Sequence, residues 1–323
     1  MEKIILVTGG SGVIGSLFLP KLLLEYKVLA IGTNHSAFPE SIRFHKNFKF
    51  YERDLAKINS PEDFLIQEQP DLIWHMAAVV SGSKVSEALY HKINVESTKH
   101  LLTFAKKNNV KHFGFLSSIT VYGSKNQNLE IISPREGTTI YAKTKILAED
   151  LIFGSGIPYS IFRLASVYGG SSKSFVSKLT QLFRKKIYPY VETKRKKSIV
   201  HLEDVVEALL HWTNQSLTGK PTQPIYVLSH PASVTISDVL TAYKLANPQK
   251  KFLIPIPVGG VFAFLIQFLF RTLAYVKRKP YHGSPLTPIL ESIEVYDAAS
   301  WKKLEQEPKW DLRKAMDSLS ILR

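Results

Sequence analysis

The chain has 323 residues, 45% of them hydrophobic, which suits one α/β unit with a smaller appended part and a full core. It contains no cysteine, so disulfides, thiolate nucleophiles and cysteine-ligated metals are excluded, and its ten histidines lack metal-binding spacing. Lysine and arginine exceed aspartate and glutamate by 15, which suits an anionic substrate, a phosphate-bearing cofactor, an acidic membrane surface or simply a lysine-rich surface. No nucleic-acid-binding motif accompanies this charge, so no metal and no nucleic acid are predicted.

The first fifteen residues, MEKIILVTGGSGVIG, combine a strand, a glycine turn and a helix start. Ile4–Val7 is a short apolar run that predicts one buried strand, and Gly9, Gly12 and Gly15 follow in TGGSGVIG. Such glycines permit a tight turn and let a pyrophosphate approach the N-terminus of the helix, so this stretch predicts dinucleotide binding. Because Met1 leads almost directly into the strand, no leader peptide is predicted and a cytoplasmic location is expected.

Strands and helices alternate after this motif. Further strands are predicted at 27–31, 48–51, 72–74 and 110–116, and helices at 17–24 (interrupted by Pro20), from Pro61 and from Asn94. The alternation predicts an α/β fold, a Rossmann-type doubly wound parallel sheet over residues 1–165, with a smaller C-terminal α/β substrate domain over 166–323 and some later segments returning to the sheet. Ligands bind beyond the carboxyl ends of such strands, so one pocket is expected to collect the residues found there: Gly9, Asp54, His75 and Ser118.

The residues after the second strand bear on the choice of cofactor. In dinucleotide-binding folds, an acidic residue about twenty residues past the glycines binds the ribose 2′-hydroxyl and favours NAD. Here the sequence reads Gly-Thr-Asn-His over 32–35, and no acid occurs before Glu40. This leaves room for a 2′-phosphate, with Arg43 or Lys46 as partners, so NAD and NADP both stay open.

A catalytic group is predicted around Tyr141 and Lys145, which lie four residues apart on one face of a predicted helix. A tyrosine, with a reference pKa of about 10, needs a nearby cation to act as a base at neutral pH. Ser118, at a strand end, can hold the reacting oxygen while Tyr141 exchanges a proton and a nicotinamide cofactor a hydride. This prediction depends on the YxxxK spacing occurring together with the glycine motif and the strand-end serine, and not on the YxxxK spacing alone.

Together these motifs resemble an extended short-chain dehydrogenase/reductase, in the NAD-dependent epimerase/dehydratase family with its nucleotide-sugar epimerases and reductases and its 3β-hydroxysteroid dehydrogenases. The resemblance covers nearly the whole length, and its markers are TGGSGVIG (8–15), DL (54–55), HMAA (75–78), NVEST (94–98), FLSSITVYG (115–123), YAKTK (141–145), RLASVYGG (163–170) and HLEDVVEAL (201–209).

The resemblance also implies roles for individual residues. The implied catalytic residues are Ser118, Tyr141 and Lys145. The implied cofactor contacts are Gly9, Gly12, Val13, Ile14, Gly15, Asn34, Asp54, Leu55, Ala77, Ala78, Tyr141 and Lys145. Asn94 is expected to support the active site, and His201 and Asp204 to brace the second domain.

The substrate expected on the resemblance is a small molecule, a nucleoside-diphosphate sugar, converted by a 4-epimerase or 4-keto reductase of polysaccharide biosynthesis. Its predicted contacts are Ser118 and Lys197, where Lys197 replaces an arginine that holds the diphosphate in many relatives. A second such arginine is replaced at about Thr287. Lysine keeps the charge but lacks the bidentate fork of arginine. A dehydrogenase of a hydrophobic alcohol or 3β-hydroxysteroid therefore stays open, as does a redox-sensing binding protein that keeps the cofactor site without chemistry.

The apolar run Val258–Phe270 is shorter than the roughly 20 residues that a membrane span needs. Residues 258–279 are expected to form either a lid over the substrate pocket or a helix that contacts an anionic membrane surface through its terminal basic residues. Relatives commonly pair through two helices of the nucleotide-binding domain, so a homodimer is the expectation from the resemblance, while the sequence itself leaves the oligomeric state open.

Overall fold

The computed structural model describes residues 2–123, 129–170, 172, 174–190, 195–220, 222–249, 254–257, 268, 271, 272, 275 and 292–321. Its strands are β1 (Ile4–Thr8), β2 (Lys27–Gly32), β3 (Phe48–Glu52), β4 (Leu72–His75), β5 (His112–Ser118), β6 (Tyr159–Leu164), β7 (Ser166–Tyr168), β8 (Ile187–Tyr190), β9 (Ile199–His201), β10 (Ile225–Leu228) and β11 (Ile254–Pro257). Its helices are α1 (Val13–Leu22), α2 (Glu40–Arg43), α3 (Glu87–His91), α4 (Ser97–Lys107), α5 (Ile140–Phe153), α6 (Phe175–Arg184), α7 (Leu202–Leu217), α8 (Ile236–Ala246), α9 (Ala298–Lys303) and α10 (Leu312–Ile321).

Seven parallel strands form the central sheet, in the order β10-β6-β5-β4-β1-β2-β3. Its inner strands are apolar runs buried along their length, as expected where helices cover both faces; all four residues of β4, for example, are buried. The predicted doubly wound sheet is confirmed. The strand order changes direction at β1, which places the carboxyl ends of β1 and β4 at the point where such sheets bind ligands.

Two hydrophobic cores enclose the sheet. On one face α1 and α7 cover it, and Trp74 of β4 meets Trp212 of α7 with 4.7 Å between ring centroids. On the other face Leu101 of α4 and Ile152 of α5 pack on Phe113 of β5. These large side chains fix the helices against the strands, and α5 thereby brings its first turn to the end of β5.

The segments after residue 165 divide between this sheet and a third core. Strand β10 completes the sheet beside β6, while β7 pairs with β9 and β8 pairs with β11. The third core lies among α6, α8 and α10, where Phe183, Tyr243 and Met316 are buried. At the start of α7, the Asp204 carboxylate accepts hydrogen bonds from the backbone of Lys309 and Trp310, and the His201 ring stacks on Trp310 at 4.3 Å. These contacts tie α7 to the segment before α10, as the expected bracing role requires.

Two helix boundaries differ from the sequence prediction. The helix predicted to begin at Asn94 begins at Glu87, because the Ser86 side chain accepts a hydrogen bond from the backbone N–H of Leu89 and so caps α3. A π-helical segment, Lys92–Glu96, joins α3 to α4 and contains Asn94 in its interior. Helix α1 includes Pro20 and ends two residues later, at Leu22.

The predicted lid or membrane-contacting segment, 258–279, lies outside the described residues except at four positions, and Thr287 lies wholly outside them. Within the part that is described, no helix is long and apolar enough to cross a membrane. The two interpretations of 258–279 and the homodimer stay predictions.

Candidate active site

The glycine loop between β1 and α1 has a geometry that only glycine allows. Gly9 has φ of +75°, and a Cβ atom there would lie 2.6 Å from the backbone nitrogen of Ala77. A Cβ on Gly15 would lie 2.5 Å from the carbonyl oxygen of Gly10. Gly12 caps α1 without a side chain, and the first turn, from Val13, carries no acidic residue. The N–H groups that begin α1 are therefore available to an anion, and the loop fits the pyrophosphate of a dinucleotide.

His75 does not line this pocket, contrary to the expectation for a strand-end residue. It is 1% exposed, and its ring makes hydrogen bonds of 2.7 Å to Thr8 Oγ1 and 2.9 Å to Thr98 Oγ1. Because Thr98 donates its own proton to the carbonyl of Asn94, it accepts from His75, whose other nitrogen then accepts from Thr8. Burial lowers the pKa of His75 to about 3, so the ring stays neutral. Its hydrogen bond to Thr8 supports the residue that directly precedes the glycine loop.

The other predicted cofactor residues lie at the carboxyl ends of β2, β3 and β4, beside the loop. Asp54 and Asn34 each use a side-chain oxygen to accept a backbone N–H two residues on, so both shape the turns that follow their strands. Leu55 is buried, while Ala77 and Ala78 are partly exposed where the chain leaves β4. The fold thus brings these residues to one edge of the sheet, and their contacts with a cofactor stay a prediction.

Helix α5 carries Tyr141 and Lys145 one turn apart and presents both to the end of β5. The Tyr141 hydroxyl lies close enough to the Ser118 side chain for Ser118 to lower the Tyr141 pKa, so two residues separated by 23 positions meet. Lys145 is 2% exposed, and its ammonium donates a 2.7 Å hydrogen bond to the carbonyl of Leu116 and lies 6.0 Å from the centroid of the Tyr141 ring. The three predicted catalytic residues therefore form one cluster.

The two titratable groups of this cluster are strongly perturbed by burial. Burial raises the pKa of Tyr141 to about 12, against the opposing effect of the hydrogen bond with Ser118. Burial lowers the pKa of Lys145 to about 7, and the carboxylate of Glu149 acts in the opposite direction. A perturbed tyrosine beside a strand-end serine, with a perturbed lysine one turn further along the same helix, is typical of a site that transfers protons.

Thr120 orients the Ser118 hydroxyl, a role the sequence did not reveal. The backbone N–H of Thr120 and its hydroxyl both donate to Ser118 Oγ, at 3.2 and 3.0 Å. A serine oxygen has two acceptor positions and one proton, so both acceptor positions are filled and the proton points to another partner. Ser118 can therefore donate to the Tyr141 oxygen or to a substrate oxygen.

Asn94, expected to support the site, joins three elements in its π-helical turn. Its amide group accepts from the backbone N–H of Val79 at 2.8 Å and donates to the Val79 carbonyl at 3.0 Å and to Thr144 Oγ1 at 3.0 Å. The loop after β4 is thereby held against α5 beside Tyr141. Single π-helical turns are frequent at functional sites because they re-aim one side chain within a helix.

The predicted substrate contact Lys197 lies on the C-terminal part of the chain. Its backbone pairs with Val234 through two hydrogen bonds of 2.9 Å, and its ammonium lies 5.0 Å from the centroid of the Phe175 ring. Contact with a substrate stays a prediction. Among the described residues, no group of three or more histidine, aspartate or glutamate side chains is arranged to hold a metal ion.

A parallel sheet with a glycine loop at its switch point and a serine–tyrosine–lysine cluster beyond the next strands defines a dinucleotide-binding enzyme fold. The chain belongs to the NAD dependent epimerase/dehydratase family, whose model matches residues 5–228. The resemblance predicted from the motifs is thereby confirmed, as is a nicotinamide cofactor at the level of the family.

The curated relatives match parts of the chain. It is 32% identical to UDP-glucose 4-epimerase of Schizosaccharomyces pombe over 164 residues, 47% of this chain and 46% of the relative. It is 27% identical to human dTDP-D-glucose 4,6-dehydratase over 226 residues, 64% of this chain and 65% of the relative. The chain thus spans about half the length of the 4-epimerases it matches.

Solved structures match over nearly the whole length. UDP-glucose 4-epimerase of Thermotoga maritima superposes with a TM-score of 0.75 at 22% identity, covering 98% of this chain and 97% of the other. UDP-N-acetylglucosamine 4-epimerase of Methanobrevibacter ruminantium superposes with a TM-score of 0.75 at 19% identity, covering 100% and 99%. At these identities the superpositions establish the fold alone.

Proposed function

We propose that the protein is an NAD(P)-dependent enzyme that oxidises or reduces C4 of a nucleotide-activated sugar, as a 4-epimerase or 4-keto reductase. The observation that carries this proposal is the meeting of Tyr141, Lys145 and Ser118 at the end of β5. The 4-epimerases among the relatives support the substrate class.

In this proposal the glycine loop and the first turn of α1 hold the cofactor pyrophosphate, Asp54 and Leu55 lie by the adenine, and Ala77 and Ala78 line the cleft. Lys145 has two ammonium protons beyond the one given to Leu116, and with these it would hold the hydroxyl groups of the nicotinamide ribose. When bound, the nicotinamide accepts or returns the hydride and adds a positive charge in its oxidised form.

Tyr141 moves the proton in the proposed reaction. It accepts the proton of the sugar 4-hydroxyl as that carbon loses hydride, and it returns the proton when the 4-keto sugar is reduced. With its pKa at about 12, Tyr141 needs the charge of protonated Lys145 and of the oxidised cofactor to become a base near neutral pH. Thr120 donates both its hydrogen bonds to Ser118, so the Ser118 proton points away from Thr120. Ser118 donates this proton to the sugar oxygen and holds that oxygen near Tyr141.

Epimerisation or reduction fits the turn after Ser118 better than dehydration does. Loss of water from a sugar needs a further acid and base beside the one that works at C4. This turn consists of Ile119, Thr120, Val121 and Tyr122, which include no carboxyl group, and Thr120 is committed to Ser118.

The change Tyr141→Phe tests the mechanism, because it removes the proton carrier and leaves the ring. We expect turnover of a UDP- or dTDP-hexose to fall at least 1000-fold, in the range assigned to positioned acid–base catalysis, while NAD still binds in a fluorescence titration. The partly buried Tyr159, at the start of β6, provides a matched control, Tyr159→Phe, with unchanged turnover. An active Tyr141→Phe enzyme contradicts the proposal.

The nucleotide that copurifies with the protein separates the two reactions. Tightly retained NAD⁺ supports an epimerase, which recycles its cofactor within each turnover, whereas reversible binding of added NADPH supports net reduction. The steroid alternative rests on the apolar residues 258–270, of which Phe268 alone is described, and on the missing arginines at Lys197 and at about Thr287. Turnover of a sterol without a thermal shift from any nucleoside diphosphate would favour it.

A further inference from the structure

Glu149 is a buried carboxylate on α5, one turn beyond Lys145, and the proposed mechanism does not use it. Tyr141, Lys145 and Glu149 are spaced by four residues and so share one face of the helix. Glu149 is fully buried, which is unusual for a carboxylate unless it is paired. The groups that pair with the Glu149 carboxylate therefore need to be identified.

Three separate parts of the chain pair with this carboxylate. Arg163 of β6 forms a two-point ion pair, with 3.1 Å from Nε to Oε1 and 2.7 Å from Nη2 to Oε2. Ser117 of β5 donates to Oε1 at 2.6 Å, and Arg135, from the segment before α5, approaches Oε2 at 3.3 Å. Arg163 is itself fixed by bonds to the Tyr122 hydroxyl at 2.8 Å and the Ile131 carbonyl at 3.0 Å.

These bonds place α5 in register along β5. Three consecutive residues of β5 meet three successive turns of the helix: Leu116 and Ser117 are hydrogen-bonded to Lys145 and Glu149, and Ser118 lies beside Tyr141. Sliding or rotation of α5 would break all three at once. A buried ion pair adds little net stability over apolar packing, and its best-attested use is to select one register.

We propose that Glu149 is a positioning residue, whose ion pair with Arg163 holds α5 in register along β5 and so fixes a negative charge one helical turn from Lys145, on the helix face that carries Tyr141. This inference rests on the proposed catalytic roles of Tyr141 and Lys145. It assigns a function to the Glu149–Arg163 pair that goes beyond those roles.

The charged and titratable groups around Lys145 and Glu149 determine in which direction the pH–rate profile is expected to move when Glu149 is changed. Lys145 faces Tyr141 and Glu149 on its own helix, His75 at the end of β4, and the ring of Phe115 on β5 at 4.4 Å. His75 is neutral, so Glu149 is the negative charge that favours the ammonium form. Around Glu149 the charges are Arg163 on β6, the partly exposed Arg135 and, on the same helix, Lys145.

The experiment compares pH–rate profiles of kcat/KM for Glu149→Gln, Asp150→Asn and Arg135→Met. Asp150 is the matched control, because it adjoins Glu149 on α5 and pairs with the same Arg135 but is half exposed. Loss of the Glu149 charge lets Lys145 become neutral, which raises the pKa of Tyr141. We therefore expect the acid limb of Glu149→Gln to move to higher pH by about one unit and turnover at pH 7 to fall about tenfold, with little change in KM.

Arg135→Met is expected to move the acid limb of the pH–rate profile in the opposite direction, and it leaves the ion pair between Glu149 and Arg163 in place. Removal of this cation leaves Glu149 more negative toward Lys145, so the acid limb is expected to move to lower pH. Asp150→Asn is expected to keep the profile of the unchanged protein. A folded Glu149→Gln whose profile coincides with that of Asp150→Asn overturns the inference. If Glu149→Gln does not fold, an unchanged profile of Arg135→Met overturns it and a shift to lower pH supports it.

Tyr141→Phe, measured in parallel, separates the two proposals. If Tyr141→Phe is inactive and the pH–rate profiles of Glu149→Gln and Arg135→Met are unshifted, only the positioning role of Glu149 is ruled out. An active Tyr141→Phe removes the catalytic proposal and this inference with it.

Discussion

The two ends of the candidate site are built in different ways. At the cofactor end, the turn from Thr8 to Gly15 is shaped by the main chain, and steric limits leave room only for glycine at key positions. At the catalytic end, side chains from β5, β6 and α5 meet through hydrogen bonds and ion pairs that join residues 14 to 32 positions apart. The first arrangement lies within one turn, limited from outside it by the backbone of Ala77; the second depends on the register of a helix along a strand.

The largest difference is expected from a methyl group added at the cofactor end. Gly15→Ala places Cβ 2.5 Å from a backbone oxygen, which cannot move aside as a flexible side chain can. We expect the dissociation constant for NAD to rise on the order of hundredfold, or about 2.7 kcal/mol, measured by titration calorimetry.

Gly154→Ala, at the end of α5, is the control for this change. Its Cβ would lie 3.6 Å from its nearest neighbour, an ordinary contact. Equal NAD binding by the two alanine variants would show that the turn is not sterically limited.

A smaller effect is expected at the catalytic end from Thr120→Val, which removes one of the two bonds that orient Ser118 and keeps the shape of the side chain. We expect kcat to fall about tenfold, the effect of one hydrogen bond of about 1.4 kcal/mol, with KM little changed. Thr120→Ser restores the hydroxyl and should recover most of the rate. If valine and serine variants behave alike, Thr120 does not orient Ser118.

The last effect is on the stability of the protein and not on its activity, and it concerns His75, which supports the glycine loop. Its pKa is about 3 when folded and about 6.5 when unfolded, so the unfolded chain binds more protons between these values and stability falls as the pH drops through that window. At pH 5 this histidine is expected to cost about 1–2 kcal/mol relative to pH 7.

Urea unfolding of the protein and of His75→Gln at pH 7 and pH 5 measures this cost. Glutamine keeps a donor for Thr98 without a ring that titrates, so its stability should depend less on pH. The buried His201, whose pKa is lowered to about 4, acts in the same direction in both proteins. Equal pH dependence would show that His75 does not carry the effect.

Much of the fold and the family could be predicted from the sequence because its signals are local. The apolar run of β1, the glycines that follow and the four-residue spacing of Tyr141 and Lys145 each lie within one or two elements. The start of the helix near Asn94 could not be placed in this way. Ser86 caps a helix that begins earlier, and the π-helical turn at Asn94 depends on its hydrogen bonds to Val79 and to Thr144 of α5.

The sequence by itself determined the parallel sheet, the glycine loop and the spacing of Tyr141 and Lys145, because period, turn chemistry and helix spacing act over short distances. It also placed Ser118 near them, because the carboxyl ends of parallel strands share one edge of the sheet. Only the tertiary structure decided that His75 turns inward, that Thr120 directs the Ser118 proton and that Glu149 is buried in an ion pair. Each of these depends on partners contributed by other elements, since a buried polar group is stable only where distant residues complete its hydrogen bonds.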